Sequence, residues 1–165
     1  MSAATELTSE VNGTCIGDIG GKENVNKHVW KSKKNCINEK LLEKVMVEFF
    51  SPKSALSKQI CNNCVTYEGI TDENKVIISF VSKKSPPYNI YDSNIVNGEY
   101  EFTQLLLFEI NKQDATIDTY KNIIEFCIYL RTKIQSDILI TSEVHDDICL
   151  LKKQEIIWAQ NCPFN

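Results

Sequence analysis

TIDTYKNIIEFCIYLRTKI (116–134) is followed closely by DILITSEVHDDICLLKKQEIIWAQ (137–160), and the reading of this stretch decides the fold. In its first part Ile117, Tyr120, Ile123, Ile124, Cys127, Leu130 and Ile134 recur at helical spacing. Asp118, Lys121, Asn122, Glu125, Tyr129, Thr132 and Lys133 fall on the opposite side. A stripe of this kind is a packing face rather than a cofactor box. Thr116 can cap the helix, and Asp118 at its start and Arg131 and Lys133 at its end suit the helix dipole. The second part breaks into apolar runs at 137–141, 148–152 and 156–159. The short reversal Lys153-Gln154-Glu155 predicts that the last two pair as a hairpin.

Outward from this core the sequence is less regular. Residues 1–26 are rich in Ser, Thr, Asn and Gly without an apolar period, and read as a loose arm before one globular domain over 27–165. Lys27, Lys31, Lys33 and Lys34 around Val29 and Trp30 suggest a strand edge or a turn with lysines facing water. Residues 38–50, NEKLLEKVMVEFF, fit either a helical face or an alternating strand, and the β-rich end favours a strand from about Lys44. Ser51-Pro52 then suits the opening of a helix of about three turns that carries Leu56, Ile60 and Cys64. Lys75 to Val81 reads as a buried strand, and residues 82–98 as a long irregular segment ending in an Asn97-Gly98 turn. Glu99 to Ile110 reads as one long strand with Tyr100, Phe102, Leu106 and Phe108 on a common side. The expected fold class is α+β: a single domain with a central, mostly antiparallel sheet of about six strands, the 116–134 helix on one face and a C-terminal hairpin.

Composition narrows the function. With 42% apolar and 24% charged residues in 165, the chain is globular in character. Runs such as VIISFV are far below the roughly 18 residues a membrane span needs, and MSAATELTSE lacks the pattern of a secretory signal. Seven irregularly spaced cysteines point to reduced thiols, and with them to a cytoplasmic location. The net charge of −4 is uneven. Residues 1–91 hold 12 Lys/Arg against 10 Asp/Glu, and residues 92–165 hold 6 against 12. An acidic half disfavours nucleic acid and favours a basic partner.

No constellation supplies a catalytic set. Cys61-Asn62-Asn63-Cys64 is a CxxC without a second pair to complete a zinc site, and it falls late in the expected helix, where the dipole does not activate a thiol. Inert thiols are the default reading, with zinc and redox chemistry as alternatives. His145 adjoins Asp146 and Asp147, with Glu143 nearby; this acidic turn is the one place where a metal-dependent hydrolase or nucleotide-handling enzyme would find its carboxylates. Phosphate-binding glycine loops, HExxH and Gly-x-Ser-x-Gly are missing from the sequence. The expected catalytic residues, metal and cofactor are therefore none.

The order of long helix, strand ending in an acidic turn, and terminal hairpin ending IIWAQ resembles the C-terminal part of bacterial immunity proteins, the partners of contact-dependent growth inhibition and related polymorphic toxins. The resemblance covers roughly residues 101–165 and rests on layout and composition rather than on a residue motif. It implies a small α+β protein that is not an enzyme and binds a cognate, basic, nuclease-type toxin, with no nucleic acid or membrane as partner. On that reading Glu99, Glu101, Glu143, Asp146 and Asp147 would supply the acidic contacts, and Tyr88 and Tyr91 the aromatic anchors.

Overall fold

A computed structural model describes residues 25–32, 37–53, 55–62, 64–71, 76–82, 89–111, 116–143, 146–160 and 162–164. The expected arm up to residue 24, Pro86-Pro87, Tyr88 and His145 lie outside them. The chain is α+β, as its periodicities predict. The elements are β1 (Val25–Ser32), α1 (Glu39–Phe50), β2 (Ser57–Cys61), β3 (Cys64–Glu68), β4 (Ile77–Ser82), β5 (Asn89–Ser93), β6 (Gly98–Phe102), β7 (Gln104–Asn111), α2 (Ile117–Lys133), β8 (Ile138–Ser142), β9 (Asp146–Leu151) and β10 (Ile156–Trp158). Eight strands form one antiparallel sheet in the order β10-β9-β8-β1-β7-β4-β3-β2, and β5 and β6 form a separate hairpin.

The two described helices share one face of the sheet. Helix α2 is capped by Thr116, whose hydroxyl accepts from the Thr119 backbone N–H while the Thr119 hydroxyl accepts from the Thr116 N–H. Its buried face is Ile123, Ile124, Phe126, Cys127 and Leu130. The expected stripe holds, except that Ile117 is exposed and Phe126 belongs to it. Phe126 meets Phe49 and Phe50 of α1 and Phe108 of β7, at ring-centroid distances of 5.5, 4.9 and 5.9 Å. This aromatic knot joins both helices to the sheet.

Several expected elements change. Residues 39–50 are a helix throughout, not a strand from Lys44: Asn38 caps it through the Leu41 N–H, and Leu42, Val45 and Met46 are buried at helical spacing. Burying that stripe against the sheet decides the ambiguity that the local pattern leaves open. Residues 57–68 are a hairpin, not a helix, with Cys61 opposite Cys64 and Asn62 at φ 50° in the turn. Ser51 lies in the left-handed region (φ 47°) and closes α1, sending its N–H back to the Val47 carbonyl instead of capping a new helix. β1 is also not at an edge; it lies in the centre of the sheet, between β7 and β8.

The expected strand over 99–110 is two strands. The break at Thr103 carries β6 off the sheet, so that Tyr100 and Phe102 pack with Leu139 and Leu150 while Leu106 and Phe108 pack beneath the helices. In β8, Ile138 and Ile140 join the helix-side core and Leu139 the other, so these two clusters lie on opposite faces. The β5–β6 hairpin therefore forms a third layer on the back of the sheet. Gln104, at the start of β7, is buried and fixes the approach to α1: its amide accepts from the Ile37 N–H at 3.1 Å and donates to the Ile37 carbonyl at 2.7 Å.

Candidate partner-binding face

Strand alternation sorts the hairpin into two faces. Tyr91 and Ser93 of β5 and Tyr100 and Phe102 of β6 turn inward, and Ile90, Asp92, Glu99 and Glu101 turn out to solvent. The register sets Asp92 opposite Glu99 and Ile90 opposite Glu101. Two carboxylates directly across a strand pair destabilise it. Among the described residues no lysine or arginine forms an ion pair with these three acids. Ile90 sits among them with 57% of its surface exposed. Among the described residues the outer face is thus a negative patch without a paired cation, set around the apolar side chain of Ile90. The loop between the strands is the four residues 94–97 rather than an Asn97-Gly98 pair: Asn97 at φ 58° closes it, and Gly98 at φ 152° already opens β6 opposite Ser93.

A bulge in the sheet ties this hairpin to the acidic turn. β8 and β9 pair Ile140 with Cys149 but Thr141 with Asp147, which leaves Ile148 as the extra residue. Thr141 lies two residues from Leu139, on the back face, so the bulge turns Asp147 toward the hairpin. There its carboxylate accepts from the Ser93 hydroxyl at 2.8 Å and from the Ile95 N–H at 2.9 Å, while Ser93 Oγ accepts from the Val96 N–H at 3.2 Å. Tyr91 stands beside the same group. Burial, and next the Asp147 carboxylate, push its phenol well above the ordinary range, with Asp146 and Asp92 adding to the effect.

The expected site residues divide accordingly. Glu99 and Glu101 are exposed on the hairpin, and Glu143 and Asp146 are exposed in the β8–β9 turn, where Asp146 pairs with Ser142. Asp147 is 4% exposed, and its carboxylate secures the hairpin instead of facing a partner. Tyr91 is half-buried against the second core. Asp92 and Ile90 complete the patch. Their alternation in NIYDS (89–93), just before the Asn97-Gly98 pair, was the available signal, overlooked when 82–98 is read as irregular. Around the acidic turn, no three Asp, Glu, His or Cys side chains among the described residues come together as a metal-ligand set. No described helix is long and apolar enough to cross a membrane.

No family model, no curated protein and no solved structure matches the chain.

Proposed function

We propose that this chain is a non-enzymatic protein-binding module that uses the outer face of the β5–β6 hairpin to hold a basic protein, as an immunity protein holds its cognate toxin in the bacterial cytoplasm. One observation carries the reading. Asp92, Glu99 and Glu101 are exposed and unmatched by described cations around the exposed Ile90, on a hairpin that Asp147 anchors from behind. Clustered like charge costs stability in the free protein and is recovered against a surface of opposite sign. Ile90 gives the patch an apolar centre of the kind that contributes affinity, and the acidic rim steers the encounter. Glu143 and Asp146 extend the negative field from the neighbouring turn. The basic, nuclease-type toxin that the resemblance implies would present the complementary surface to this face.

The test pairs the chain with the protein encoded beside it. The two are expected to co-purify, with an association rate that falls steeply as salt rises. The combined variant Asp92→Lys, Glu99→Lys, Glu101→Lys is expected to keep its circular dichroism spectrum and to associate at least about tenfold more slowly. A neighbour that is not a toxin, or a complex indifferent both to salt and to the triple reversal, overturns the proposal.

A further inference from the structure

The β2–β3 hairpin places two thiols face to face at the edge of the sheet. Cys61 ends β2, Cys64 begins β3, and the register pairs them directly across the hairpin turn that holds Asn62. Directly opposed residues of an antiparallel pair have side chains on the same face and Cα atoms about 4.5–5.5 Å apart, within the span of about 4.4–6.8 Å that a disulfide bridges. Both cysteines are thiols in this structure, Cys61 exposed and Cys64 buried, with the Cys64 sulfur 3.9 Å from the Thr66 hydroxyl. A reagent from solvent meets Cys61 first, and Cys64 is the sulfur placed to resolve what forms there.

We infer that Cys61 and Cys64 are a reversible redox pair that closes into an intrachain disulfide by exchange with a small-molecule disulfide of the glutathione class. The Cys61 thiolate attacks one sulfur of that reagent, forming a mixed disulfide and expelling one thiolate. The Cys64 thiolate then attacks the Cys61 sulfur and expels the second. The two protons given up by the cysteines reside on the two small thiols released, so the protein is oxidised by two electrons and the reagent is reduced by two. Two other thiols are poorly placed to compete. Cys127 and Cys149 are buried in the core, where desolvation pushes the Cys127 thiol well above its ordinary value and the Cys149 thiol up to about 12. The tight turn allows the bond to form with little movement of the sheet, so the switch acts on the exposed edge strand β2, all five residues of which face solvent.

The experiment equilibrates the full-length chain with mixtures of oxidised and reduced glutathione, quenches with acid and maps the peptides without reduction. The expected result is a chain lighter by two hydrogens, a single bond joining Cys61 to Cys64, and recovery of both thiols with dithiothreitol. Cys64→Ser is expected to stop at a glutathione adduct on Cys61. A bond from Cys61 to any other cysteine, an adduct on Cys61 that persists in the unmutated chain as it does in the variant, or no oxidation of this pair overturns the inference. The peptide map of the unmutated chain decides the matter whether or not the variant folds.

Discussion

A carboxylate buried at 4% exposure has left water, and at Asp147 two short hydrogen bonds replace part of what it lost. The donors, the Ser93 hydroxyl at the end of β5 and the Ile95 N–H in the turn, let this one side chain tie the hairpin to β9, beside the packing of Tyr100 and Phe102 on Leu139 and Leu150. Asp147→Ala leaves these donors without an acceptor in a place water reaches poorly. The expected cost is about 1–3 kcal/mol for each, read as a lower urea midpoint with unchanged slope. Asp147→Asn keeps one carbonyl oxygen and the shape, and should lose less. Equal losses for Asn and Ala would show that the hydrogen bonds are not what holds the turn. The acidic turn as such was plain in the sequence, from Glu143 to Asp147. The inward direction of its last carboxylate was not, because it depends on the bulge at Ile148, and no turn residue or proline announces that extra residue.

At the scale of elements, α1 is held to β2 by charge. Glu39 and Glu43, one helical turn apart, both accept from the Lys58 ammonium at 2.7 Å, and the Tyr67 hydroxyl donates to Glu43 at 3.2 Å. The bond from Lys58 holds the Glu43 carboxyl below its ordinary value of 4.5, with further lowering from the charge of Lys58 and the Tyr67 hydroxyl outweighing partial burial. A group whose folded value is depressed stabilises the fold fully above its unfolded value and ceases to do so as pH falls through the folded one. Thermal melts of the parent and Glu43→Gln should therefore differ most near neutrality and converge as pH drops from about 4.5 toward 3. A constant gap across that range would locate the effect in packing rather than charge. This contact also shows why α1 and the 57–68 hairpin were hard to read. Val45, Val47 and Phe49 alternate like a strand, and Leu56, Ile60 and Cys64 are spaced like a helix. The deciding signals were Asn38 as a cap and Asn62 in the left-handed region of the turn, which are local and short. Helix α2, by contrast, was legible because its apolar period runs for several turns and its cap, Thr116, stands at its start.

For the molecule as a whole, the least legible feature is the position of β1. Its lysines suggested an edge, yet β1 pairs on one side with residues 104–111 and on the other with residues 138–142. Nothing within the span 25–32 encodes partners so distant; they are chosen when α1 and α2 bring the two halves of the sheet over one core. The single backbone N–H of Val29 therefore meets a neighbouring strand, whichever way it points. Val29→Pro removes that bond from the middle of the sheet, at about 3 kcal/mol or more, and should lower the melting temperature by at least about 6–12 °C. The edge strand responds differently. Cys61 and Cys64 face each other at the end of the hairpin and exchange their backbone bonds, so one residue earlier the Ile60 N–H points away from β3, where among the described residues β2 has no neighbouring strand. Ile60→Pro is thus expected to melt within about 3 °C of the parent. Comparable losses at the two positions would mean that β2 is paired on its outer side as well, or that β1 is not the strand on which the two halves of the sheet join.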